Sequence, residues 1–456
     1  MKKSASLVTL VVTAAFLLVP LCAAADTYVL TAAKWGAKQT TAVQQSGGTV
    51  VWSHAASGLA AASSSRTDFL ARALKTRAFL TVDKDMVVQW QKPEQLREVG
   101  LIETAITPGN ETFINAQWNI LAVEAPDAWA NGCTGYGVRV AVLDGGIRPT
   151  HIDLAGTVDT ACSASFVAGK QFYEDTSSHA THVAGIVAAR DNGIGTIGIA
   201  PEATILGVKV LDNGSGSFSQ IIGGILYAAE PGAFGVDCAG ADVINMSLGA
   251  VFPRNVGGPA GLIAAINKAV NYANSRGALV VSSAGNDAID FGQAKNLVGV
   301  PGSAGAGIAV SATGPEGFAV NFPYGATNFR DPASYSSYGE GFVSLAGPGG
   351  DFRLPGTALC SVPRVPSGSV TTQCWVFDMV MSLSRNSNTT YTWMAGTSMA
   401  APAVAAVAAL VKQRYPWMTP GDIRDFLQAT ADDEGSYGDD QFYGHGFVNA
   451  RRACTE

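Results

Sequence analysis

Val138-Arg139-Val140-Ala141-Val142-Leu143-Asp144-Gly145-Gly146 is the stretch on which the reading of this chain turns. An almost unbroken apolar run suits a strand buried on both faces, and an acid followed by two glycines marks a sharp exit. Working outward, His179 to Arg190 has helical periodicity, Ile205 to Leu211 reads as a strand and Ser217 to Ala229 as a helix. Val243 to Leu248 reads as a strand, Pro259 to Arg276 as a helix stopped by Gly277, and Ala278 to Ser282 as a strand. This order predicts an α/β fold: a mostly parallel sheet with helices on both faces, in three α/β/α layers. Sites in such sheets gather at the carboxyl ends of the strands, where Asp144 lies.

A second stretch is Gly396-Thr397-Ser398-Met399-Ala400-Ala401-Pro402, running into Ala403 to Val411 with no charge before Lys412. A helix apolar on every side belongs in the middle of a domain. Thr397 or Ser398 suits its N-cap, and Pro402 near the first turn costs little. Taken alone, Ser398 reads as well as a cap as it does as a reactive group.

Composition narrows the classes. Of 456 residues, 47% are hydrophobic and 14% charged, which excludes general disorder, and a formal net charge of -7 argues against a nucleic-acid partner. Lys2-Lys3, the apolar Leu7 to Leu21 and Ala23-Ala24-Ala25 read as a signal peptide over 1–25, implying secretion. A membrane anchor needs about 20 apolar residues, and Leu21 beside Cys22 argues against a lipoprotein site. Without the leader, Cys133, Cys162, Cys238, Cys360, Cys374 and Cys454 remain, an even set suited to disulfides. Cys360 with Cys374 is the favoured pair, because both flank one loop-like insertion; no spacing fits structural zinc. Residues 26–110 hold a small α+β module: strands at Thr27–Leu30, Gly48–Trp52 and Ala78–Trp90, and a helix at Asp68–Lys75. A linker runs from about 93 to 116, and 117–456 forms the large domain.

Four residues carry chemistry. Asp144 ends a strand, His179 opens a helix in His179-Ala180-Thr181-His182-Val183-Ala184-Gly185, Asn286 follows a strand end, and Ser398 starts the apolar helix. His179 and His182 lack the intervening Glu of zinc-protease helices. A serine hydroxyl needs a base to take its proton, and imidazole has the right pKa. A carboxylate fixes the imidazole tautomer, and an amide donor can hold an oxyanion.

With these residues in place, the chain resembles the secreted subtilases, the subtilisin-like serine proteases. Val140 to Ile147 is similar to the family's Asp motif, His179 to Gly185 to its His motif, and Gly396 to Pro402 to its Ser motif. Asn245-Met246-Ser247-Leu248-Gly249, Ser283-Ala284-Gly285-Asn286, Tyr335 to Gly339 and Tyr443 to Gly446 extend the likeness over roughly 117–450. The order Asp, His, Ser is that of subtilisin. The resemblance implies that Asp144 orients the base, His179 is general base and acid, and Ser398 is the nucleophile, with Asn286 and the Ser398 N–H forming the oxyanion hole. Ser247, Leu248, Gly249, Ser283, Ala284, Gly285 and Gly302 would line a roomy apolar pocket suited to large uncharged side chains. The first module would be a propeptide, inhibitor and folding aid, cut off before Gln117.

The resemblance further implies no cofactor for catalysis, protein or peptide substrates, a monomer without a membrane anchor, and structural Ca²⁺ at Asp153, Asn192, Ile194 and Thr196. Ala180 stands where the family usually has Gly. The segment Asp351 to Tyr391 is longer than a compact member needs and reads as surface elaboration. Two other readings remain: a peptide ligase using the same acyl-enzyme, and an inactive peptide-binding relative.

Overall fold

A computed structural model describes residues 25–91, 111–254, 259–320, 322–323, 328–353 and 355–456, with the backbone of 97–99. The leader lies outside the described residues, as do 92–96 and 100–110 of the linker.

The first module is a four-stranded antiparallel sheet of β1 (Asp26–Thr31), β2 (Thr49–His54), β3 (Leu59–Ser64) and β4 (Thr81–Lys84), in the order β2-β3-β1-β4. Alternation along β1 divides its side chains. Tyr28 and Leu30 join a core with Phe69 and Ala73 of α2 (Phe69–Lys75) and Val43 of α1 (Ala37–Gln45), whereas Val29 packs toward the large domain. The single strand expected over Ala78–Trp90 is two, β4 and β5 (Val87–Gln89). Helix α1 and strand β3 were not anticipated. Leu59-Ala60-Ala61-Ala62 favours a helix by propensity, but both of its faces are covered in the sheet, so tertiary packing prevails.

The large domain is built on a sheet of seven strands, β6 (Arg139–Asp144), β7 (Ala164–Ser165), β8 (Thr204–Lys209), β10 (Val243–Met246), β11 (Leu279–Ser283), β12 (Ile308–Thr313) and β13 (Leu345–Pro348); β9 (Ser215–Ser217) lies in a separate ladder. The seven pair in the order β13-β12-β11-β10-β6-β8-β7, all parallel. Val140 and Val142 of β6 face one core, while Ala141 and Leu143 face the other. The first core holds α3 (His179–Ala188) and α6 (Thr397–Arg414); the second holds α4 (Phe218–Ala229) and α5 (Ala260–Ser275). This is the three-layer α/β/α arrangement. Every residue of α6 from Thr397 to Val411 is buried, so its first turn is fixed by packing on all sides. The chain runs from β6 out to β7 and β8 on one side and crosses to β10 on the other, so Asp144 ends the strand at the topological switch point.

Three disulfides bind the large domain: Cys133–Cys454, Cys162–Cys238 and the expected Cys360–Cys374. The last spans a hairpin, Leu359–Pro363 with Ser369–Gln373, inside the long segment. That hairpin leans on residues 111–116, where Val365 N–H donates to Thr112 O at 3.1 Å and Asn115 donates to Pro363 O at 3.2 Å.

Candidate active site

The end of β6 delivers Asp144, fully buried, and the first residue of α3 delivers His179. Their side chains meet with His179 Nδ1 2.9 Å from Asp144 Oδ2. Gly145 N–H donates to the other oxygen of Asp144 at 2.6 Å. Neither Gly145 nor Gly146 has a positive φ, contrary to the sharp turn expected. They are glycines because another loop presses on them: a Cβ at Gly145 would lie 2.0 Å from Asp175 Oδ2, and one at Gly146 2.7 Å from Glu174 backbone. Ala180 lies in helix α3, outside the residues of positive φ, and its methyl joins the core. No backbone strain attaches to it. His182 is a buried structural histidine whose Nε2 lies 3.1 Å from Val380 O, and burial lowers its pKa to about 3.

Ser398 is the second residue of α6, and Gly396 rather than Thr397 or Ser398 is the N-cap. Pro402 lies inside the helix, not in its first turn. Lacking an N–H, it cannot bond Ser398 O in the helix ladder. The hydroxyl of Ser247, just past β10, donates to that carbonyl at 2.7 Å instead. Ser247 O in turn lies 3.4 Å from Ser398 Oγ. Thr397 turns away from the helix end, and its N–H and hydroxyl both donate to Asn286 Oδ1, at 2.9 and 2.8 Å. The Thr397 N–H is an unambiguous donor, so the Asn286 oxygen must face it, leaving Nδ2 as the remaining donor.

A cavity of about 360 Å³ opens beside Ser398, and Leu248, Gly249, Ser283, Ala284, Gly285 and Gly302 line it. Ser247 stands behind it, bonded to the helix. Phe342, which the sequence did not single out, forms a further wall, with its ring 3.2 Å from a Cβ placed on Gly302. The described residues of Asp351–Tyr391 do not line this cavity, but the segment is not mere surface elaboration, because Val376, Phe377 and Met379 to Met381 are buried in the core beside α3 and α6.

The first module reaches into the same cleft. Strand β5 pairs antiparallel with β9, Gly249 N–H donates to Trp90 O at 3.0 Å, and Trp90 Nε1 donates to Gly216 O at 2.9 Å. Trp90 is buried against Phe218 and Phe252. The Gln91 amide lies 3.0 Å from His179 Nδ1 and donates to Ser247 O at 3.0 Å. No local sequence signal marks Gln91, because its place depends on a contact between distant parts of the chain.

The subtilase family model matches residues 135–446, which include all four chemical residues. The chain belongs to the subtilase family. Subtilisin Savinase of Lederbergia lenta is 38% identical over 338 residues, covering 74% of this chain and 97% of that protein. Subtilisin DY of Bacillus licheniformis is 34% identical over 338 residues, covering 74% and 98% respectively. A solved epidermin leader peptide processing serine protease from Staphylococcus aureus shares the fold, with a TM-score of 0.72 at 20% identity over 94% of this chain and 98% of that one. The chain is thus a subtilisin-like serine endopeptidase.

In this protease, the predicted calcium residues come together. Thr196 N–H donates to Asp153 Oδ2 at 3.0 Å, Asn192 Nδ2 lies 3.4 Å from Oδ1, and Ile194 N–H donates to Asn192 Oδ1 at 3.1 Å. Burial raises the Asp153 pKa to about 7 and raises that of Glu111, whose carboxylate bears on both Asp153 and Asp191. Sequence reading missed Glu111, which fell in the presumed linker. Carboxylate and amide oxygens are the kind of ligand Ca²⁺ takes, but among the described residues no group of three or more His, Cys, Asp or Glu could hold a metal ion, and Asn192, Ile194 and Thr196 meet their neighbours here through N–H groups.

Proposed function

We propose that the protease hydrolyses peptide bonds through an acyl-enzyme on Ser398. His179 takes the Ser398 proton as Oγ attacks the carbonyl and then gives it to the leaving amine. Asp144, 2.9 Å from Nδ1, holds the tautomer and stabilises the imidazolium. Asn286 Nδ2 and the Ser398 N–H receive the oxyanion. The observation that carries this reading is the locked Asn286: its oxygen is tied down by Thr397, next to the nucleophile, so a donor is already oriented before substrate arrives.

Residues 26–110 act as propeptide and intramolecular inhibitor. The strand Val87–Gln89 on β9 and the Gln91 amide on Ser247 O support this, because an extended substrate would need the same main-chain partners, and Gln91 also stands beside His179. Asp85, in the turn after β4, adds hold at the start of α4, where its Oδ1 accepts from Ser219 N–H at 3.2 Å, and Asp83 of β4 lies close to Gly261 at the start of α5. The leader over 1–25 directs secretion. Small walls with Phe342 support broad cleavage after large uncharged side chains, and Trp90 on Phe218 and Phe252 supports an aromatic preference further upstream. Ca²⁺, held by Asp153, Asn192, Ile194 and Thr196 with Glu111 nearby, would neutralise buried acids and stiffen the loop without entering the chemistry.

The test compares the chain from Asp26 with its Ser398→Ala variant. Mass spectrometry of the N-terminus should show the parent losing its first module and taking up a fluorophosphonate, while the variant stays full length. A parent that remains uncut and unlabelled refutes the mechanism.

A further inference from the structure

We propose that Asp175 is a positioning residue that joins the Asp144 turn to the His179 helix, with Lys209 as its buried counter-ion. This role deepens the mechanism proposed above and rests on it. Asp175 is outside the four chemical residues, yet both of its oxygens are committed to the backbone that carries two of them. Oδ2 accepts from Gly146 N–H at 2.9 Å, two residues beyond Asp144. Oδ1 accepts from Thr176 N–H at 2.7 Å and Ser177 N–H at 3.1 Å. Ser177 passes the constraint on, since its hydroxyl accepts from His179 N–H at 3.1 Å at the mouth of α3. One carboxylate therefore sets the separation between the segments bearing acid and base.

Lys209 makes that carboxylate tenable as an anion. It sits level with Asp144 in the β6–β8 register. Side-chain exposure is 0% for Lys209 and 1% for Asp175. Its ammonium lies 3.3 Å from Asp175 Oδ2, donates to Leu211 O at 2.7 Å and reaches Asp212 at 3.1 Å. Burial alone would raise the Asp175 pKa, but the Ser177 N–H, Lys209, Gly146 and Thr176 outweigh it and the pKa is lowered. The two glycines after Asp144 belong to the same device, because a side chain at Gly145 would fall on Asp175 Oδ2. A carboxylate that merely stabilised the surface would need neither the close glycine approach nor a fully buried cation.

Asp175→Asn keeps the shape but has one acceptor oxygen, so it can serve the Gly146 side or the Thr176–Ser177 side, not both. It also strands Lys209. Asp175→Asn/Lys209→Met removes the stranded charge, and replacing a buried pair by neutral groups of similar size is often tolerated by the fold. Both are measured after module removal on a peptide p-nitroanilide, with kcat referred to folded protein and thermal unfolding followed in parallel. Expected for the double variant are an unfolding temperature close to the parent's, and kcat lowered on the order of ten- to a hundredfold with KM nearly constant. Ser177→Ala, which cuts only the last link, should lower kcat several-fold and serves if neither Asp175 variant folds. Parent-level kcat in the folded double variant, or in Ser177→Ala should that be the only one to fold, overturns the proposal, as does a loss carried by KM. An inactive parent overturns the mechanism and this proposal together; an active parent with unimpaired variants overturns this proposal alone.

Discussion

Replacing Ser247 by Ala tests how the nucleophile is held. The Ser247 hydroxyl donates at 2.7 Å to the buried carbonyl of Ser398, whose regular i+4 helix partner is missing because Pro402 has no N–H. The same hydroxyl accepts from Asn245 Nδ2 at 3.0 Å. Deleting it leaves a buried acceptor unsatisfied, at a cost of about 1–3 kcal/mol. The first turn of α6 should also relax, and a fraction of an ångström at Ser398 should lower kcat by roughly tenfold. Stability is best followed by denaturant unfolding in the Ser398→Ala background, where self-digestion cannot intrude. The decisive arm is Pro402→Ala. An alanine there regains an N–H that can bond Ser398 O four residues back, so Ser247→Ala should cost less when residue 402 is Ala. A coupling of about 1 kcal/mol is expected, well above the 0.3–0.5 kcal/mol scatter of independent sites. Strict additivity would refute the reasoning.

Asp85→Ala removes an acid and a hydrogen bond at the start of α4, worth about 1–2 kcal/mol together. Purified full chain carrying it should develop activity sooner than the parent, and an unchanged lag would count against the capping contact. Chelator should lower the unfolding temperature, by an amount equivalent to about 2.7 kcal/mol if the loop had been saturated at a hundredfold its Kd. Asp153→Asn should abolish that sensitivity, and a chelator effect that survives would remove the site. Phe342→Ala should widen the cavity beside Gly302 and shift kcat/KM toward bulkier side chains by roughly tenfold. An unaltered ratio between a Trp and an Ala substrate would show that this wall does not select.

Much of the architecture could be read from β6 alone. An apolar strand ending in an acid, followed by a helix opening on His179, is a pattern set by local burial and period, and such patterns survive folding. The four chemical residues were legible for the same reason, since Asp144 closes a strand, His179 and Ser398 open helices and Asn286 follows a strand end. The N-cap of α6 was misread because Thr397 has a better use: its side chain fixes Asn286 instead of the helix end. Ser247 with Pro402, Asp175 with Lys209 and Gln91 with His179 were invisible because each joins segments distant in sequence. Helix α1 was missed because Ala37–Gln45 buries only Ala42 and Val43, too few for a periodic signal.

The pairing of β5 with β9 bears on more than the inhibition proposed for the first module. Its ladder is made of main-chain groups, and Gly249 adds another main-chain bond to Trp90. Every polypeptide carries those groups, whatever its side chains, but only a chain free of its own helix or sheet can present them to a sheet edge. A protease built this way responds to conformation before composition. Stable native domains should pass it by, whereas frayed termini, loops and damaged proteins should be cut at a rate set by how often they open.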